Sequence, residues 1–165
     1  MPELPEVETV CRGLAPVLEG AVLRNVIVRQ PKLRFPVPPR FSDALAGQKI
    51  LTVRRRAKYI LLEMEKDNVV IGHLGMSGRM TIYQTPQEAP APGRHDHIDF
   101  ETVAGPIVRF ADPRKFGLML LTDQGSLEDH KLIRHLGPDP LGNGFNETVL
   151  ALALKGRKTT IKAAL

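Results

Sequence analysis

The sequence has a single cysteine among 165 residues, Cys11. That scarcity excludes an internal disulfide and a cysteine-rich zinc site within these residues. Cys11 lies on the apolar stripe of the first amphipathic segment and reads as a small buried hydrophobe. No apolar run approaches membrane-spanning length, and the first residues carry neither a basic n-region nor an apolar h-region. The expectation is a reducing cytoplasm and no membrane. Internal repeats and low-complexity tracts are also missing. Acid is in deficit, with 18 Asp and Glu against 23 Lys and Arg, a net charge of +5 and a pI near 9.6. That balance favours a polyanionic partner and concerns partners and solubility rather than fold.

What is present is ordinary globular material, 42% hydrophobic and 25% charged, enough for one domain and the start of another. Residues 6–19 place Val7, Val10, Cys11, Leu14, Val17 and Leu18 at helical spacing, with Pro16 shortening the last turn and Gly20 closing it. Residues 22–29 read as a strand, followed by an irregular loop set by Pro31, Pro36, Pro38 and Pro39 that carries Lys32, Arg34 and Arg40. A short helical turn is expected at 41–46. Strands are then expected at 49–56, 59–65, 69–74, 79–84, 97–103, 107–110 and 118–122, with a proline-rich surface loop at 85–93. Past Gly125 the pattern turns helical. A helix is expected at 126–135, a second capped by Asn146, and a third capped by Thr159 or Thr160 and carrying Ile161, Ala164 and Leu165. The last pattern stops with its apolar face uncovered, so the chain reads as a fragment or as part of something longer. The fold class expected is α+β: an antiparallel β-sandwich with a leading helix, then the first helices of a truncated helical domain.

The chemistry begins at Met1-Pro2-Glu3-Leu4-Pro5-Glu6. If Met1 is removed, Pro2 becomes the amino terminus and its nitrogen a secondary amine. An α-amino group titrates near pKa ~8, leaving an appreciable neutral, nucleophilic fraction at pH 7. Such an amine attacking the anomeric carbon of deoxyribose gives an iminium ion that withdraws electrons from the sugar. Glu3 and Glu6 stand close enough in sequence to move protons there. The same six residues also suit a plain helix start, with Pro5 at a first helical position and acids in the first turn. Arg54, Arg55, Arg56 and Lys58 form the densest basic cluster. They read either as a solvated strand face or as charge that a run of phosphates neutralises. Each of the remaining candidates has two readings as well. Lys58 is a surface lysine or a phosphate contact, and His73 a satisfied core histidine or a ligand group. Met76 is a core gap-filler or a probe, and Arg114 with Phe116 an ordinary turn beside a core aromatic or a recognition pair.

Taken together these stretches resemble the formamidopyrimidine-DNA glycosylase family, bacterial repair enzymes for oxidised purines. The residues that carry the resemblance are the Pro-Glu-Leu-Pro-Glu start, Arg54 to Leu62, His73 to Gly78 and His95-Asp96-His97. Asp112 to Gly117, Leu136 to Leu141 and Thr160 to Leu165 continue it. Leu4 and the Met76-Ser77-Gly78 loop fit this family rather than its pyrimidine-specific sister, endonuclease VIII. The resemblance implies that Pro2 is the nucleophile and Schiff-base former, Glu3 the acid/base at the sugar, and Glu6 a support for the reactive site. It implies that Lys58 and His73 grip phosphates beside the lesion, with Lys58 counted among the catalytic residues. Met76, Arg114 and Phe116 would fill the gap left by a turned-out nucleotide, Arg114 reaching the orphaned base and Phe116 stacking beside it. Arg54 and Arg56 would add backbone contacts. Tyr83, Phe100 and Phe110 read as strand packing, and His95 and His97 as structural or hydrogen-bonding residues with no metal.

The organisation implied is a catalytic β-sandwich over 1–125, a helical linker over 126–145, and the start of a helix-two-turn-helix DNA-binding domain over 146–165. The family continues through that domain to a four-cysteine zinc finger, so one zinc ion is expected outside this chain and no cofactor within it. The partner is damaged double-stranded DNA, the state a monomer, the location the bacterial cytoplasm. The reaction is excision of oxidised purines followed by β,δ-elimination at the abasic site. With half of the DNA clamp missing, this chain is expected to be weak or inactive. The alternatives are a noncatalytic DNA-binding module, with no use for a free Pro2, and an endonuclease VIII-like enzyme for pyrimidine lesions.

Overall fold

The first helix, α1 (Leu4–Leu18), forms where the apolar spacing demands it, burying Val7, Cys11, Leu14 and Leu18 along one face. Complete burial of aliphatic side chains such as Val7, Leu14 and Leu18 contributes about 1.5–3 kcal/mol each. The helix starts earlier than the pattern suggested, so Pro5 is its second residue; its missing N–H still falls among donors that have no intrahelical partner. Pro16 sits in the last turn, after which Glu19 donates its N–H to Ala15 O at 2.9 Å and Gly20 turns the chain at φ +79°. The structure is a computed structural model that describes residues 1–164. Its chain divides into two compact units, Met1–Glu128 and Asp129–Leu165.

In the first unit eight strands form two four-stranded antiparallel sheets. They are β1 (Leu23–Val28), β2 (Ile50–Arg56), β3 (Tyr59–Met64), β4 (Asn68–His73), β5 (Arg79–Tyr83), β6 (Asp96–Thr102), β7 (Ile107–Ala111) and β8 (Leu118–Asp123). One sheet runs β1-β6-β7-β5 and the other β2-β3-β4-β8. A short helix, α2 (Phe41–Leu45), lies between β1 and β2 in sequence and places Phe41 against Phe100 with ring centroids 6.2 Å apart. The core is filled by α1, α2 and the inward residues of the strands, including Ile50, Ile60, Leu62, Val70, Ile98 and Phe110. Phe100 and Phe110 are core residues, as their strand positions suggested. Register decides where the chemistry gathers. Tyr59, His73 and Leu118 stand in one row across β3, β4 and β8, and Arg79 pairs Ala111 in the other sheet. The β2–β3 turn and the crossings from β4 to β5 and from β7 to β8 therefore meet at one end.

Residues 126–135 are not a helix. After β8 the chain makes one 3-10 turn, Gln124–Ser126, and then irregular turns. Short polar side chains take the backbone donors locally: Asp123 accepts the Ser126 N–H at 2.9 Å and its hydroxyl at 3.0 Å, and His130 Nδ1 accepts the Leu132 N–H at 3.3 Å. In the second unit α3 (Glu147–Leu154) is capped by Asn146, whose side chain accepts the Val149 N–H at 3.0 Å. Thr160 precedes α4 (Ile161–Ala164) and accepts the Ala163 N–H at 3.3 Å. Leu165, expected to continue that helix, lies outside the described residues.

Candidate active site

At the amino terminus the plain helix start is present. Glu3 is the residue before α1, and its N–H donates to Glu6 Oε2 at 3.0 Å in a capping box. The Glu3 carboxylate also lies 2.8 Å from Lys58 Nζ, with the two side chains 38% and 32% exposed. Lys58 reaches it from a two-residue turn between β2 and β3 in which Ala57 adopts φ +52°. A left-handed alanine costs about 1–2 kcal/mol, and such strain persists where surroundings over-determine it. Met1 acylates the Pro2 nitrogen as the chain stands, making it a tertiary amide with no basicity. Met1 also lines the cleft described below, so its removal would expose the Pro2 nitrogen beside that cleft.

Carboxylates from elsewhere in the chain meet much of the basic cluster, an arrangement that neither the solvated-face nor the phosphate reading anticipated. The Arg55 side chain is only 4% exposed, with Nε 2.7 Å from Glu8 Oε2 and NH1 donating to Ala57 O at 3.0 Å. The Arg55 and Arg12 guanidiniums hold the Glu8 carboxyl below its usual range. Arg54 Nε lies 2.7 Å from Glu63 Oε1. Burial raises the Glu63 carboxyl, but hydrogen bonds from Thr52 and Arg54 outweigh it and the net direction is down. Arg56, half-buried, pairs with Tyr59 across the turn that carries Lys58.

His73 ends β4 with Nδ1 accepting the Gly75 N–H at 2.9 Å, so its neutral ring carries the proton on Nε2. Burial, then Arg34 and Lys58, depress its pKa, and Tyr59 lies against it with ring centroids 5.1 Å apart. The group is thus a neutral N–H donor at pH 7. Beyond it the two crossing loops touch backbone to backbone. A Cβ on Gly75, whose φ is +63°, would stand 2.5 Å from Gly117 N, and one on Gly117 would stand 2.7 Å from His73 O. Only glycine fits either place.

That close approach lifts three side chains onto the surface. Met76 and Phe116 are each 45% exposed, so neither is a core residue. The Arg114 guanidinium lies 4.8 Å from the centre of the Phe116 ring. A cleft of about 440 Å3 is lined by Met1, Arg34, His73, Gly75, Met76 and Phe116. Arg34 is the residue that sequence reading left without a role. Its loop is pinned to the site by the Arg34 N–H, which donates to Gly117 O at 3.2 Å. The only hint was a cation set among the prolines of 31–39. His97 is buried and donates from Nε2 to Asp112 O at 2.7 Å, a structural role; His95 accepts from Arg94 at 2.9 Å. Among the described residues no cluster of three or more His, Cys, Asp or Glu could hold a metal ion, and no helix is long and apolar enough to cross a membrane.

Residues 1–119 match the family described as formamidopyrimidine-DNA glycosylase N-terminal domain. The whole chain is 49% identical over 170 residues to the formamidopyrimidine-DNA glycosylase of Ruegeria pomeroyi, and covers 60% of that protein. It is 48% identical over 174 residues to that of Azorhizobium caulinodans, covering 59%. Among solved structures, the Lactococcus lactis protein in complex with DNA containing an abasic site is similar at a TM-score of 0.84 and 29% identity, over 98% of this chain and 59% of that one. The complex of the same protein with DNA containing a formamidopyrimidine-dG gives 0.83 and 30%, with matching coverage. The chain spans about 60% of the length of the curated relatives it matches.

Proposed function

Because this chain belongs to the formamidopyrimidine-DNA glycosylase family, we propose that it carries the nucleophile and gap-filling half of a bifunctional glycosylase and abasic-site lyase acting on oxidised purines in double-stranded DNA. One observation carries the reading: an amino terminus, an open Glu3–Lys58 pair and an exposed Met76–Phe116–Arg114 rim converge on one end of the sandwich. With Met1 removed, Pro2 N attacks C1′ of the damaged nucleoside and the base departs with the bonding pair. The Glu3 carboxylate takes the proton that the Pro2 nitrogen sheds and passes it to the sugar ring oxygen as the ring opens, leaving an iminium between Pro2 N and C1′, while the departed base takes a proton from water. Loss of a C2′ proton then expels the 3′ phosphate, a second elimination expels the 5′ phosphate, and water releases Pro2. Lys58 holds Glu3 in place and, with the His73 Nε2–H, faces the phosphates beside the lesion. Glu6 keeps the helix start ordered. Arg54 and Arg56 supply backbone contacts.

Residues 1–125 are in this reading the catalytic domain, 126–145 the linker, and 146–165 the beginning of a helix-two-turn-helix domain. The one zinc ion belongs to a finger in the length that the relatives have in addition. The lone Cys11 is buried, and among the described residues no cluster fits that metal. The working protein is a monomer in the bacterial cytoplasm, and this chain alone is a weak enzyme because several phosphate grips are elsewhere. The test is intact mass before and after borohydride treatment with a duplex holding 8-oxoguanine opposite cytosine. A chain lacking one methionine and carrying a covalent DNA adduct is expected from a protein of full family length, with a much slower adduct from this chain. A Met1-free full-length protein with no adduct would overturn the catalytic reading and leave a noncatalytic DNA-binding module.

A further inference from the structure

Asp112 stands at the end of β7, wholly buried, and both of its carboxylate oxygens are engaged by the crossing loops. Ser77 Oγ donates to Asp112 Oδ1 at 2.6 Å and itself accepts the Arg114 N–H at 3.1 Å. Asp112 Oδ2 accepts the Gly117 N–H at 2.7 Å. The backbone of Asp112 is tied to β6 and its flank: its N–H donates to His95 O at 3.0 Å, and its carbonyl accepts from His97 Nε2 at 2.7 Å and from the Lys115 N–H at 3.2 Å. A position that only filled space would hold an aliphatic residue, since a buried carboxylate is costly unless its lone pairs are met. Here they are met by the loop that carries Met76 and by the loop that carries Arg114 and Phe116. Lys115 between them adopts φ +57°, a strained conformation that needs such anchoring.

We propose that Asp112 and Ser77 form a positioning latch that joins the two loops, so that Met76, Arg114 and Phe116 enter the gap left by a turned-out nucleotide as one preformed wedge. The wedge rests on the DNA-repair reading above; the latch rests on the hydrogen bonds alone. Ordering exposed, flexible side chains before contact reduces the entropy lost when they insert. Neither residue touches DNA in this proposal. Both act through the three that do.

Amide hydrogen exchange on this chain and duplex binding by a protein of full family length test the two halves separately. Ser77→Ala is expected to speed exchange by about tenfold, the worth of one hydrogen bond, at Gly75 and Gly78 and also at Arg114 and Gly117. Ser77→Thr restores it. The affinity ratio between a duplex with a tetrahydrofuran abasic analogue and an intact duplex should fall about tenfold in Ser77→Ala. Its salt dependence should stay unchanged, because phosphate contacts are untouched. Asp112→Asn should act in the same direction, and Ser77→Ala carries the test if that variant does not fold. Faster exchange confined to 75–78 overturns the latch. Faster exchange in both loops with an unaltered ratio overturns the wedge. If the unmodified protein of full family length does not prefer the abasic duplex, the DNA-repair reading fails and takes the wedge with it, while the exchange data still decide the latch.

Discussion

Two ion pairs of equal length teach different lessons. Arg109 Nε lies 2.8 Å from Asp99 Oδ1, and Lys58 Nζ lies 2.8 Å from Glu3 Oε2. The first pair is 4% and 2% exposed, and its remaining polar atoms are occupied. Arg29 reaches Asp99 Oδ2 at 2.8 Å, Arg109 NH1 donates to Pro90 O at 2.8 Å, and the guanidinium lies 5.3 Å from the Tyr83 ring centre. The second pair is 32% and 38% exposed. A buried, saturated network can only hold strands β6 and β7 and the loop over them together. An open pair with a strained turn behind it can exchange partners and protons with a substrate. Distance is the same; access separates the scaffold pair from the pair proposed to meet a substrate.

The comparison breaks first at Asp99. Asp99→Ala leaves the buried Arg109 with only the longer 3.7 Å approach of Asp96, takes the carboxylate from Arg29, and should destabilise the fold by about 3–5 kcal/mol in urea denaturation. A loss below about 1 kcal/mol would mean that the network is ornamental.

Acid sharpens the contrast between interior and site. Burial raises the Asp99 carboxyl, but Arg29 and Arg109 outweigh it and the net shift is downward. Its stabilisation is therefore complete above the unfolded value of about 3.9 and is lost as pH falls through the lower folded value. His73 is depressed too, so the unfolded chain binds its proton first. Its contribution is present above about pH 6.5 and declines as pH drops from there to the folded value. Denaturation midpoints taken from pH 7.5 to 3 should show two steps, and His73→Gln should diminish only the upper one, to which His130, depressed by burial and by Lys131, also contributes.

The smallest effect on stability is expected at the open pair. Lys58→Ala should shift the midpoint by less than about 1 kcal/mol, as exposed pairs do, while abolishing borohydride-trapped adduct in a protein of full family length. A destabilisation equal to that of Asp99→Ala would erase the distinction drawn here.

Much of the scaffold was legible because its signals are periodic. The spacing of Val7, Cys11, Leu14 and Leu18 marks one helical face, and short alternating runs between glycines and prolines mark the strands. The expected helix at 126–135 failed for a local reason. Asp123 and His130 side chains compete for backbone N–H groups, a choice that apolar spacing does not register. The roles of Glu8 and Glu63 were also invisible. Arg55 meets Glu8 across 47 positions, and whether a cation faces phosphate or carboxylate depends on that long-range pairing.

By itself the sequence determined the element types up to β8, the reactive possibilities of its first six residues and the family to which the chain belongs. Those follow from side-chain periodicity, backbone chemistry and motif identity, all local in the chain. Only the tertiary structure decided that Lys58, His73, Arg34, Met76 and Phe116 share one end of the sandwich, and that Asp112 stands buried beneath them. Strand register and the glycine-to-glycine approach of two loops bring them together, and both are set by packing between residues far apart in sequence.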